Sequence, residues 1–121
     1  MSEAIVLFAH GARDPSWAGP VLRIAAMVAE RRPDAYVEAA FLERLQPSLA
    51  EAVGRASARG VDRVIIYPLF MAPSGHLRRE VPEMLRDIRA AHPGIEITLA
   101  PPMGDSAQVL EAIADWATRT G

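Results

Sequence analysis

Two rhythms of apolar and polar positions alternate along the chain. Four short apolar runs, Ala4 to Ala9, Tyr36 to Leu42, Arg63 to Met71 and Ile95 to Ala100, are each followed by a longer segment with apolar residues at helical spacing. A compact apolar run bounded by turn residues is the pattern of a strand, and recurrence at i, i+3, i+4 and i+7 is that of an amphipathic helix, so the chain reads as a β-α repeat. The first helix carries Trp17, Val21, Ile24 and Val28 on one face, with Pro20 marking a late start or a kink. The second runs from about Pro47, a favourable first-turn residue, through Leu49, Val53 and Ala56 to Gly60 as its stop. The third uses Val81, Met84, Leu85 and Ile88 and ends before His92-Pro93-Gly94, and the fourth opens near Asp105 or Ser106 and presents Val109, Leu110, Ile113, Trp116 and Ala117.

Strands covered on both faces are continuously apolar, whereas edge strands alternate. The first and third runs are continuous. The fourth alternates strictly from Ile95 to Leu99, and the second places Glu38 between Val37 and Ala39, so these two belong at the edges. With right-handed crossovers the simplest strand order is 2-1-3-4, an α/β three-layer sandwich on a four-stranded parallel sheet. In that order the winding reverses between strands 1 and 3, and open α/β sheets bind ligands outside the strand C-termini at such a switch point.

His10 stands at the end of strand 1. The loop after strand 3, Ala72-Pro73-Ser74-Gly75-His76, brings a second histidine to the neighbouring strand end, and Glu43 follows strand 2 at the same rim. Two imidazoles and a carboxylate suit a borderline divalent cation such as cobalt, iron, nickel or zinc. Each residue also has an ordinary reading: His10 as a hydrogen-bonded loop residue, Glu43 as a solvated side chain leading into a helix, Gly11 and Gly75 as turn glycines. Arg13, Arg78 and Arg79 are either exposed charges or a hold on an acidic ligand beside the crevice. His92, at the far end of the third helix, complements the helix dipole and reads as structural.

Composition narrows the classes. A length of 121 residues suits one domain spanning 1–121. The formal charge is -2, and the basic residues are thirteen scattered arginines with no lysine, which leaves no nucleic-acid footprint. Cysteine is absent, which removes disulfides, thiolate metal sites and cysteine nucleophiles. No phosphate loop of the Gly-x-x-x-x-Gly-Lys type occurs, no apolar run approaches a membrane span, and the N-terminus lacks a signal-peptide pattern; the expected location is the cytoplasm. A histidine phosphatase also ends its first strand in His-Gly, but it needs Arg immediately before the His, and that position here is Ala9.

The segments LFAHGARDP, AFLERLQPSL, VIIYPLFMAPSGH with REVPEML after it, and APPMG resemble, in order and spacing, the sirohydrochlorin chelatase family, small class II tetrapyrrole chelatases of cobalamin and sirohaem synthesis. The resemblance covers about Ile5 to Trp116. It implies ATP-independent insertion of a divalent metal, cobalt before iron or nickel, into sirohydrochlorin, with no cofactor beyond that metal. His10 and His76 would bind metal and take protons from the macrocycle, and Glu43 would serve the metal path. Neutral imidazole suits both tasks, since near neutral pH a histidine is largely an acceptor. The substrate's carboxylates give Arg13, Arg78 and Arg79, with Ser74 and Gly75, a binding role. The chain departs from the family at Glu80-Val81-Pro82, where Asp-Ile-Pro is frequent, and at Arg44-Leu45-Gln46, where relatives carry smaller or acidic residues. A protein that only stores or ferries metal or tetrapyrrole would use the same trio. Because one lobe leaves half of a tetrapyrrole plate uncovered, a two-fold homodimer is expected, with Leu69, Phe70 and Met71 supplying apolar contact surface.

Overall fold

A computed structural model of the chain describes residues 2–72 and 75–119, with the backbone alone at His76. The elements are β1 (Glu3–Ala9), a 3-10 turn (Pro15–Ala18), α1 (Gly19–Arg31), β2 (Tyr36–Phe41), α2 (Leu49–Ala58), β3 (Arg63–Pro68), α3 (Gly75–Ala91), β4 (Glu96–Leu99), a second 3-10 turn (Met103–Asp105) and α4 (Ala107–Thr118). The four strands form one parallel sheet in the order β2-β1-β3-β4, as the apolar patterns predict. In register, Phe8 lies between Ala40 on β2 and Pro68 on β3, and Val64 pairs with Ile97 on β4.

The two faces of the sheet are covered unequally. Ala4, Val6 and Phe8 of β1 with Val64 and Ile66 of β3 point to one face, where they are fully buried under Leu49, Val53 and Ala56 of α2 and the stripe Leu77, Val81, Leu85 and Ile88 of α3. Burying a side chain of this size stabilises by about 1.5–3 kcal/mol, so this face holds most of the core. On the opposite face a smaller cluster of Ala9, Ala18, Ala39 and Phe41 packs against Val21 and Ala25 of α1. Neither α1 nor α4 has a fully buried residue. Ile65 is therefore only half-buried and Tyr67 is exposed, although β3 was expected to be covered on both faces.

Local chemistry moves several boundaries. Helix α2 starts at Leu49, not Pro47, because Ser48 caps it: the Ser48 hydroxyl accepts the Glu51 N–H at 3.1 Å and the Glu51 carboxylate accepts the Ser48 N–H at 2.8 Å. Pro47 follows a cis peptide bond, and its carbonyl accepts the Phe41 N–H at 2.9 Å instead. Pro20 occupies the first turn of α1, so it marks a late start. Trp17 lies before that start in the 3-10 turn, 69% exposed, and does not join the helix face. The turn is capped by Asp14, whose carboxylate accepts from the Ser16 N–H at 2.9 Å and the Ser16 hydroxyl at 2.8 Å; these bonds hold its carboxyl below the usual range. Helix α3 begins at Gly75, because Leu77 extends its buried stripe, so His76 sits in a first helical turn and not in a loop.

Candidate functional site at the strand ends

The end of β1 and the segment after β2 are joined beyond the sheet itself. The Leu42 N–H donates to the Ala9 carbonyl at 2.9 Å and the Glu43 N–H to the His10 carbonyl at 3.1 Å, so parallel pairing carries on past the register pair of Ala9 and Phe41. Gly11 makes this approach possible. Its φ is +101°, and a Cβ there would overlap the Glu43 carbonyl oxygen and lie 3.0 Å from its carbon, closer than non-bonded carbons pack. On the other side Arg44 adopts φ +67°, and the Leu45 N–H reaches back to the Glu43 carbonyl at 2.8 Å, closing a one-residue turn. A non-glycine residue at positive φ costs about 1–3 kcal/mol and is kept where the surroundings impose it. Here the strained position, Arg44, directly follows Glu43, and Gly11 lies against the Glu43 backbone from the other side.

The result is a pair of donor atoms facing one another. His10 Nδ1 and Glu43 Oε1 stand 3.8 Å apart, with the side chains 55% and 51% exposed. That is too long for a hydrogen bond. It does match two ligands of one cation: donors about 2.1 Å from a metal stand about 3.4 Å apart at a tetrahedral angle and about 4.2 Å when opposed. The half-exposure leaves the gap open to an incoming ion. Phe70 backs the imidazole edge-to-face, ring centroids 6.4 Å apart, and is itself held edge-to-face by Phe8 at 5.5 Å. The packed core thus sets the orientation of His10 through two aromatic rings.

The remaining expected residues divide. His76 follows the C-terminal end of β3, the neighbour of β1, and its backbone is in the first turn of α3; its side chain lies outside the described residues, as does Ser74. Among the described residues no three His, Asp or Glu side chains gather to hold a metal ion, so His10 and Glu43 stand as a pair. Gly75 opens α3 with nothing within 4 Å of an added Cβ. Arg13 and Arg79 are exposed, and Arg78 lines an apolar pocket of about 330 Å³ with Phe70, Met71, Leu77, Leu99 and Asp105. Phe70 is shared by the pocket and the His10 site. It was expected at the surface, but it is 9% exposed, so of the three residues proposed for a dimer contact only Met71 is freely accessible. Sequence reasoning missed Phe70 and Arg44 as determinants of the site; the signal for Gly11 was its place directly after His10, although what approaches it is the chain's own backbone. His92 directly follows the last residue of α3, its backbone N–H donating to the Ile88 carbonyl at 3.1 Å.

A parallel α/β sheet with an imidazole and a carboxylate on its C-terminal rim places the chain among the open α/β proteins, whose ligands bind outside the strand ends. The family model described as CbiX matches residues 4–120, and the chain belongs to that family. Among curated relatives it is 31% identical to a sirohydrochlorin cobaltochelatase of Methanopyrus kandleri, over 93% of this chain and 92% of that protein. It is 30% identical to the sirohydrochlorin cobaltochelatase of Saccharolobus solfataricus, over 96% and 94%. A crystal structure of a cobalamin biosynthesis CbiX protein from Marinobacter aquaeolei VT8 superposes with a TM-score of 0.83 at 36% identity, covering 95% of this chain and 93% of that one. The fold also matches SirB from Bacillus subtilis in complex with cobalt, with a TM-score of 0.75 at 22% identity; this chain, 95% covered, corresponds to 49% of SirB.

Proposed function

We propose that this chain is a sirohydrochlorin chelatase that inserts a divalent metal, cobalt before iron or nickel, without ATP and with no cofactor beyond that metal substrate. The observation that carries the reading is the open gap between His10 and Glu43, sized for one cation, in a chain of the CbiX family. Metal insertion strips water from the cation, bends the macrocycle so that its nitrogen lone pairs meet the metal, and removes two pyrrole N–H protons. The Glu43 carboxylate offsets the charge of the arriving ion, and the His10 imidazole takes its place in the coordination sphere and then accepts a proton as the metal passes to the ring. His76 serves as the second imidazole. The apolar pocket beside Phe70 receives an edge of the macrocycle, with Arg78, which lines it, reaching a peripheral carboxylate. Arg13, Gly75 and Arg79 are further substrate contacts in this reading, as is Ser74, which lies outside the described residues.

A pocket of about 330 Å³ covers only part of a tetrapyrrole. The working enzyme is accordingly a homodimer that covers the second face of the plate. It needs neither nucleic acid nor membrane as a partner, and its reaction is cytoplasmic; no helix among the described residues is long and apolar enough to cross a membrane.

The test is the absorbance change of sirohydrochlorin on cobalt insertion, measured against the uncatalysed rate. The wild type should accelerate insertion, and His10→Ala and Glu43→Gln should lose at least ten-fold of that acceleration with unchanged circular dichroism. Absence of any acceleration by the wild type would leave a protein that binds metal or tetrapyrrole without catalysis, and full activity in His10→Ala would remove the role given to the rim pair. Competition between equal cobalt and iron concentrations fixes the metal.

A further inference from the structure

Trp17 is the large apolar side chain of the segment that joins β1 to α1, and it is 69% exposed. A single exposed apolar residue is ordinary on a protein surface, but this one is firmly held at the rim of the site. Its N–H donates to the Asp14 carbonyl at 3.1 Å, the Asp14 carboxylate accepts from the Ser16 N–H and hydroxyl, and Pro15 fixes the backbone at the start of the turn. The next residue, Ala18, is buried in the small cluster with Ala9, on which Leu45 and Leu69 also pack. Ala9 precedes His10, Leu45 stands two positions after Glu43, and Leu69 precedes Phe70. The residue beside Trp17 is therefore anchored among the chain neighbours of the rim pair and of the ring that backs it.

A cation reaches the same place. Side chains of a helix lean toward its N-terminus, and Nη1 of Arg23 lies 3.6 Å from where a Cβ on Gly19 would stand, in the turn of α1 next to Trp17. Arg23 is exposed, and among the described residues no carboxylate pairs with it. The pocket lined by Phe70 and Arg78 belongs to the sheet face covered by α3, whereas the Ala18 cluster belongs to the face covered by α1. His10 joins the two, following Ala9 of one cluster and meeting Phe70 of the other with its ring.

We propose that Trp17 and Arg23 form a second seat for the tetrapyrrole on the α1 side of the metal gap, the indole packing against the macrocycle and the guanidinium holding one of its peripheral carboxylates. A flat conjugated ring with carboxylates on its edge calls for an aromatic surface beside a cation, and the pocket of about 330 Å³ on the α3 side covers only part of such a plate. Each side of the gap then offers one aromatic ring and one guanidinium, Phe70 with Arg78 and Trp17 with Arg23, and the plate is held across the ion. The seat rests on the chelatase reading above and adds to it two residues that bind the macrocycle and leave the metal to His10 and Glu43.

The test titrates metal-free sirohydrochlorin into the protein, followed by the absorbance of the macrocycle. Trp17→Ala should raise its dissociation constant by about ten-fold or more, and Trp17→Phe, which keeps an aromatic ring, by clearly less. Arg23→Gln should raise it by about three-fold at low salt, a difference that shrinks at high ionic strength. Both side chains are exposed, so circular dichroism should match the wild type, and cobalt titrated alone should bind all three variants as it binds the wild type. Unchanged macrocycle affinity in Trp17→Ala overturns the seat and leaves the chelatase reading standing. An Arg23→Gln protein that matches the wild type at low salt removes the guanidinium from it. Parallel loss of cobalt affinity in Trp17→Ala overturns the seat in favour of a turn that only supports the rim pair. A wild type that does not bind sirohydrochlorin overturns the seat and the chelatase reading together.

Discussion

Replacing Gly11 by Ala adds one methyl group at the point where the end of β1 meets the backbone after β2. That methyl would overlap the Glu43 carbonyl oxygen and sit 3.0 Å from its carbon and 3.4 Å from its nitrogen, so the two segments must separate by on the order of an ångström to restore ordinary carbon contacts. At φ +101° an alanine is also strained by about 1–3 kcal/mol. Forcing backbone apart in a packed region adds about 1–3 kcal/mol more. A loss of about 2–6 kcal/mol is a large part of the roughly 5–15 kcal/mol that holds a domain of this size. The variant should still fold, with its urea midpoint lowered by about 1 M or more at unchanged slope. The same separation stretches the Glu43 N–H bond to His10 and widens the gap of 3.8 Å between the two donor atoms, so cobalt insertion should fall at least ten-fold. Gly54→Ala is the control: it lies inside α2 with nothing within 4 Å of an added Cβ, and it should raise stability by up to about 1 kcal/mol. A Gly11→Ala protein with the wild-type midpoint and insertion rate would refute the claim that this close approach sets the site.

Arg44→Gly should hold the stability or raise it by up to about 1 kcal/mol, since φ +67° is unstrained for glycine, whereas Arg44→Val should lower it; the shift of the urea midpoint in both variants checks the sign. Ser48→Ala removes the hydroxyl that accepts the Glu51 N–H in the α2 capping box and should cost about 1 kcal/mol, a melting-temperature drop of roughly 4 °C by calorimetry. Phe8→Ala empties the centre of the main core and should cost about 3–5 kcal/mol; because Phe8 also holds Phe70 against His10, insertion in whatever protein remains folded should fall as well.

The strand order was legible in the chain because burial on a parallel sheet is written as local composition. Continuous apolar residues in β1 and β3, against Glu38 in β2 and the alternation of β4, are enough to place two strands inside and two outside. The stripe of α3 was legible for the same reason, since its period belongs to the helix itself. His10 and Glu43 were legible as neighbours once the order was known, because both follow strands that end on one rim.

Tertiary structure alone decided what depends on segments far apart in sequence. That Gly11 must lack a side chain is set by the Glu43 carbonyl 32 positions away, and that Phe70 faces inward is set by Phe8, so neither appears in any local pattern. The exposed stripe of α4 shows the limit most plainly. Its sequence carries the same apolar period as α3, and period states only that a face needs covering. Which surface covers it, in the same copy or in another, depends on how the backbone leaves the sheet at Ala100–Ser106, because packing is a relation between surfaces and not a property of either sequence.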